Sequence, residues 1–159
     1  MLRAFRKEDT AAVLEIFNEV IEEGGSFPFE EPFDEEILLT VIASEKYAAV
    51  LEDEAGNIVG FYMLGQNYPG RVSSVANATY MIASKRRGEH LGEVLVRDSL
   101  EKAKELGYRI MQFNGVVDSN IGARKLYARV GFKEIGVLPK GFKVKDGHYE
   151  DMHIMYINL

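Results

Sequence analysis

The chain predicts an α+β domain, and three observations carry that expectation. Apolar residues recur at helical spacing in some stretches and alternate at strand spacing in others along nearly the whole length. No internal repeat, low-complexity tract or linker interrupts them. The 159 residues, 47% hydrophobic with both charge signs interspersed, suffice for one compact core. Residues 1–159 are therefore read as a single domain.

The elements follow in order. Leu2 to Arg6 alternates as a short strand, and Asp9-Thr10 then precede Val13, Ile16, Phe17, Val20 and Ile21 at helical spacing. Paired glycines and spaced prolines end that helix in Gly24-Gly25-Ser26-Phe27-Pro28-Phe29-Glu30-Glu31-Pro32, a candidate binding loop with two aromatics and two carboxylates. A second helix is expected over Asp34 to Glu45 with Ile37, Leu38, Val41 and Ile42 inward. Tyr47 to Leu51 and Ile58 to Leu64, joined by Glu54-Ala55-Gly56-Asn57, read as a hairpin.

After the Tyr68-Pro69-Gly70 break, Val72 to Ala83 reads as a strand, and a helix with Leu91, Val94, Leu95, Leu100, Ala103 and Leu106 inward runs on to Gly107. Tyr108 to Val117 alternates as a strand. Asp118-Ser119-Asn120 offers capping oxygens for a short helix over Ala123 to Val130, which Gly131 ends. Strand-like runs at Phe132 to Val137 and His148 to Ile157 finish the chain.

Several chemistries drop out. Without cysteine there are no disulfides, thiolate metal sites or cysteine nucleophiles, and His90, His148 and His153 are too scattered for a metal site. A net charge of −6 argues against nonspecific nucleic-acid binding, which needs clustered Lys and Arg on phosphates. No apolar run nears the length of a membrane span, and Met1 to Arg6 moves straight into a charged helical pattern, so a cytoplasmic protein off the membrane is expected.

The most informative segment is Arg87-Gly88-Glu89-His90-Leu91-Gly92, between the strand end Tyr80-Met81-Ile82-Ala83 and a long helix. Glycines there let backbone N–H groups turn toward an anion, and the helix N-terminus adds partial positive charge. With Lys85, Arg86 and Arg87 beside it, the segment reads as a phosphate cradle. Alone, such a segment is also an ordinary strand-to-helix turn. It gains weight from a second motif, Asn120-Ile121-Gly122-Ala123-Arg124-Lys125-Leu126-Tyr127-Ala128-Arg129-Val130-Gly131-Phe132.

With those two motifs in that order, the chain resembles a GCN5-related N-acetyltransferase of the GNAT family. The first is similar to the family's pyrophosphate signature, with His90 in place of its first glycine; the second is similar to its Asn, Ala, Leu-Tyr and Gly-Phe helix. Phe27 to Pro32, together with Gly141-Phe142-Lys143 and Gly147 to Asp151, resembles the phosphinothricin-acetyltransferase-like branch, which acetylates amino groups of small amino-acid-like compounds.

The resemblance implies a mixed, mostly antiparallel central sheet flanked by helices, acetyl-CoA as donor, and direct attack by a neutral amine. It implies that Arg87, Gly88, Glu89, His90, Leu91 and Gly92 hold the pyrophosphate. Ile82 and Ala83 would present backbone groups to the pantetheine arm and polarise the thioester carbonyl, and Asn120 would also bind that arm. Tyr127 would protonate the departing thiolate and touch the cofactor. Relatives are often dimers, so a homodimer is an expectation too.

An alkyl amine with a pKa of about 10 is mostly protonated at neutral pH, so a base or a shared water must take its proton. No single base stands out. Glu30 or Glu31, or Glu150 or Asp151, could act directly or through water, while Asn77, where some relatives have a strand glutamate, and Tyr80 could only position that water. Phe29, Glu30 and Tyr80 are the candidate acceptor contacts, the phenylalanines being equally suited to plug the core. An acidic loop could draw a polyamine or a protein N-terminus, and Lys140, Lys143 and Lys145 could hold a carboxylate. Two other readings remain: a non-catalytic acyl-CoA sensor, and a dinucleotide-binding dehydrogenase, which the late position of the glycines disfavours.

Overall fold

The computed structural model describes residues 1–159. Seven strands form one sheet: β1 (Leu2–Ala4), β2 (Tyr47–Glu52), β3 (Ile58–Gln66), β4 (Val75–Ile82), β5 (Ile110–Val117), β6 (Lys133–Lys143) and β7 (Tyr149–Asn158). Their order is β1-β2-β3-β4-β5-β7-β6. Four helices accompany them: α1 (Thr10–Glu23), α2 (Glu35–Ser44), α3 (Leu91–Glu105) and α4 (Ile121–Val130). Every neighbouring pair of strands is antiparallel except β4 and β5.

Strand β3 shows why the sheet has helices on both faces. Side chains alternate along a strand. Phe61 and Met63 therefore join Val13, Phe17 and Leu38 in one core under α1 and α2, while Tyr62 and Leu64 join Leu95, Val96, Met111 and Phe113 in another under α3 and α4. The Tyr62 hydroxyl donates to Asp98 on α3 at 2.6 Å, so this buried phenol is satisfied.

The single parallel pair positions the site. β4 and β5 are in register only at Val75 with Ile110 and Ala76 with Met111. Beyond Ala76 they part, leaving a fork whose β4 edge has no strand partner.

The structure moves several expected boundaries and faces. Residues Gly70–Val72 form a 3-10 turn, and the strand begins at Val75. β6 continues past Val137 to Lys143 despite Pro139 and Gly141. Register shifts against β7 and a positive φ of 54° at Lys140 absorb those residues, which hid the strand from a periodicity reading. Val94, Leu106 and Ile37 face outward, whereas Val96 and Ser99 are buried on α3. Leu95, Ser99 and Ala103 define the true inner stripe at four-residue spacing, with Val96 beside it.

One buried histidine makes a pH dependence. His153 on β7 pairs with Glu134 of β6 through Nδ1 and with Asp118 at 2.6 Å through Nε2. The hydrogen bond with Asp118, then that with Glu134, raises its pKa above 6.5, against desolvation and the charge of Arg124. A raised folded pKa means the protonated pair stabilises the fold fully below the unfolded value of about 6.5 and is lost as pH rises through the folded value. Melting temperature is expected to fall over that interval, and His153→Gln to flatten that part of the profile.

Candidate active site

Three adjoining cavities run through the fork. The first, about 700 Å³, lies between the cradle and α4; the second, about 440 Å³, lies in the fork itself; the third, about 490 Å³, lies between the loop after α1 and the end of β6. Tyr80, Gly92, Asn120 and Leu126 are shared by the first two, and Phe27, Pro28 and Phe142 by the last two. The three cavities thus share walls, the cradle cavity lying where the sequence expects the donor and the loop cavity where it expects the acceptor.

At the donor end a 3-10 turn over Ser84–Arg86 leads into the cradle. Gly88 has φ 84° and His90 φ 60°. The left-handed conformation explains why the resembled signature has glycine at the position of His90, since a Cβ there costs on the order of 1 kcal/mol. At Gly92 an added Cβ would lie 3.3 Å from Leu126, so its lack of a side chain lets α3 approach α4.

Most cradle cations are already engaged. Arg86 binds Glu89 at 2.7 and 2.9 Å and Asp53 at 3.0 Å, and it holds Glu89 below the usual carboxylate range. Arg87 binds Glu23 at 2.8 Å. Glu19 accepts from the Ser84 backbone N–H at 3.0 Å, so two carboxylates of α1 brace the cradle. Lys125, on the α4 side of this cavity, has no carboxylate partner; it lay unremarked within the second motif.

In the fork, Ile82 is paired with Gly60, and the Ala83 N–H donates to Val59 at 3.0 Å, so both are anchored to β3 on one side. Asn120 caps α4, its side-chain oxygen accepting from Ala123 at 3.4 Å while its amide N–H groups remain available to the cavity. Tyr127 is half-buried among Phe113, Tyr80 and Phe132, with ring centroids at 4.5, 6.3 and 5.6 Å. Its hydroxyl has no protein partner, and burial pushes its pKa well up, so the phenol stays protonated at neutral pH.

The structure separates residues that the sequence grouped. Tyr80 belongs to the α3 side, its hydroxyl 2.7 Å from Ser99 Oγ and its pKa pushed well up by burial. Strand alternation and the burial of Met81 under α1 place Asn77 and Thr79 on the opposite face, where Asn114 of β5 also lines the fork. Asn77 and Tyr80 therefore do not share one face. Asn114 went unnoticed, although Gln112 and Asn114 interrupt an apolar strand at alternate positions.

Phe29 and Glu30 line the acceptor end. Phe29 packs against Phe27, tilted at 5.1 Å, and edge-on to Phe33 at 5.0 Å between centroids. Glu30 is 79% exposed and 4.0 Å from Lys143, outside the fork cavity, and Glu31 lines none of the three cavities. Glu150 is held by the Ser119 backbone N–H and by His148, each at 3.0 Å, and Asp151 accepts from the Lys140 N–H at 2.9 Å.

Asn18 fixes the acceptor loop by donating to the Phe33 carbonyl at 3.0 Å and accepting from its N–H at 2.8 Å. The loop starts at Gly24, in the left-handed region at φ 64°, where a Cβ would meet Lys145 Cβ at 2.7 Å. Gly24→Ala combines backbone strain with a clash close to the main chain. It is expected to destabilise the protein by about 2 kcal/mol, read from denaturant unfolding, and to raise the acceptor KM.

Comparison with known proteins agrees with this geometry. The chain spans less than half the length of the first curated relatives it matches: 14% of Protein SPT10 of Saccharomyces cerevisiae, with 32% identity over 91 residues, and 47% of N-acetyltransferase aca1 of Schizosaccharomyces pombe, with 29% over 100. These matches cover 54% and 62% of the present chain. The L-amino acid N-acyltransferase MnaT of Escherichia coli K12 is 22% identical over 163 residues, covering 99% of this chain and 93% of that protein. Among solved structures, a GCN5-related N-acetyltransferase from Kribbella flavida superposes with a TM-score of 0.94 at 29% identity, covering 100% of this chain and 97% of the other. A phosphinothricin acetyltransferase from Sinorhizobium meliloti in complex with AcCoA shares the fold at a TM-score of 0.93 and 20% identity, covering 100% and 88%. The acetyltransferase (GNAT) family model matches residues 11–132, which include both the cradle and the Asn120-to-Phe132 helix, and the chain belongs to that family.

Proposed function

We propose that the protein transfers the acetyl group of acetyl-CoA to the primary amine of a small amino-acid-like acceptor by direct attack. The adjoining cavities on either side of the β4–β5 fork carry this reading, because they place a donor and an acceptor on opposite sides of one opening. The similarity to MnaT, over nearly the full length of both chains, supports the acceptor class.

In this reading, backbone N–H groups from Gly88 to Gly92 and the N-terminus of α3 hold the donor's phosphates, and Lys125 adds charge. Asn120 and the unpaired β4 edge orient the acyl-bearing arm, with a backbone N–H of that edge polarising the thioester carbonyl. Phe27, Phe29 and Phe142 seat the acceptor, and Glu30 and Lys143 offer opposite charges at its entrance. The neutral amine's nitrogen bonds to the carbonyl carbon, the C–S bond breaks, Tyr127 gives its proton to the sulfur, and the proton shed by the nitrogen passes through water to restore the Tyr127 hydroxyl. Glu30 takes an acceptor-binding role. A cytoplasmic location belongs to the same proposal, supported by the complete absence of cysteine.

Thiol release from acetyl-CoA tests it across free amino acids, methionine and phosphinothricin analogues, polyamines and short peptides. Turnover with amino-acid-like amines is the expected result. CoA binding with no turnover anywhere in the panel would instead indicate a sensor.

A further inference from the structure

The turn from β5 to α4 leads into Asn120, and strand β7 grips that turn. The Asp118 N–H donates to the Asp151 carbonyl at 2.9 Å, the Ser119 N–H donates to the Glu150 carboxylate at 3.0 Å, and Asp118 Oδ1 meets His153 Nε2 at 2.6 Å. From α4, Arg124 donates to Asp118 Oδ1 at 3.1 Å. Asn120 comes next in the chain and lines both the donor cavity and the fork. Glu150, Asp151 and His153 line none of the three cavities, so they reach a ligand only through the turn.

His153 has a carboxylate at each ring nitrogen, Asp118 at Nε2 and Glu134 of β6 at Nδ1. An ionised carboxylate only accepts, so both bonds together require the imidazolium. A neutral ring has one N–H for two claimants, and the grip on Asp118 slackens. Arg124 is the third charged group facing the ring, while β5 sets Val116 opposite it. His148 repeats the pattern between Asp146 and Glu150, but it is 55% exposed, where solvent screens such pairs. Glu150 also accepts from the Ser119 N–H whichever form His148 takes.

We infer that His153 is a positioning residue: through Asp118 it holds the turn that aims Asn120 at the acyl-bearing arm of the donor, so donor affinity is linked to the proton on this imidazole. This rests on the proposed acetyl-CoA site and adds to it a residue that lines none of its cavities. The turn keeps its backbone bonds when the ring is neutral, so the effect is that of one charge-assisted hydrogen bond, about threefold in CoA affinity between pH 6 and 9.

The test is calorimetric titration with CoA, without acceptor, across that range. His90 and the CoA phosphates contribute equally in every variant and cancel in ratios of affinity. The ratio of wild type to His153→Gln is expected to be about threefold at pH 6 and to fall to about one at pH 9. Glu134→Gln can donate an amide N–H to Nδ1 and leave the ring N–H for Asp118, so it should bind about threefold more tightly than wild type at pH 9 and equally at pH 6. Asn120→Ser keeps a capping oxygen without the amide N–H groups. In that background the His153→Gln substitution should change affinity by less than about 1.5-fold at any pH.

A ratio of wild type to His153→Gln that is independent of pH would overturn the inference. So would a full threefold effect of His153→Gln in the Asn120→Ser background, or a Glu134→Gln variant that weakens with pH as wild type does, since the ring's charge would then act without the turn. No CoA binding by the wild type at any pH would overturn the donor reading itself.

Discussion

Replacing Tyr127 by phenylalanine is expected to lower kcat about a hundredfold while affinity for CoA stays within about twofold, the pattern of a lost proton donor. The substitution removes only a hydroxyl that no protein group binds, and it leaves the ring against Phe113 at 4.5 Å. Unfolding temperature should therefore hardly move. Burial keeps the phenol protonated, so in the proposed mechanism its hydroxyl is present to hydrogen-bond and protonate the leaving thiolate as the C–S bond breaks. Steady-state kinetics beside calorimetric CoA titration separate the two quantities. An unchanged kcat would remove Tyr127 from the acid role and leave it as a wall of the cavity.

Phe17→Ala is expected to produce the largest loss of stability. Phe17 is fully buried on α1, with ring centroids 5.3 Å from Phe27, 5.4 Å from Phe33 and 5.8 Å from Phe61. Truncation leaves a cavity at the meeting point of helix, loop and sheet, which costs about 3–5 kcal/mol. For a domain of this size that corresponds to a melting temperature lower by roughly 10 °C. Function should change as well, because Phe27 borders both the fork and the acceptor cavity and loses its support. A thermal melt and an acceptor KM, measured under conditions where the variant is folded, should shift together. A stability loss under about 1 kcal/mol would show that the aromatic cluster can close around the gap.

The site was legible in the sequence to unequal degrees. The cradle and the Asn120-to-Phe132 helix could be read because each is contiguous: glycines, a helix start and their order appear along a single stretch. The structure adds the reason His90 is tolerable, a left-handed backbone at φ 60° that an L-residue can adopt at modest cost. The engagement of Arg86 with Asp53 and of Arg87 with Glu23 was not legible, since those partners lie 33 and 64 residues away. Asn114 escaped notice for the same reason: only the pairing of β4 with β5 brings it into the fork with Asn77.

By itself the sequence determined the α+β class, the helices and most strands, because hydrophobic period and chain breakers act over a few residues. It also determined the family, through two local motifs in the right order. Only the tertiary structure decided that β4 and β5 part after two register pairs, which helices cover the Asn77 face and which the Tyr80 face, and that Glu30 stands outside the fork. Those facts depend on strand pairing and on which elements cover each face. They arise from contacts between segments far apart in the chain, and local periodicity carries no record of them.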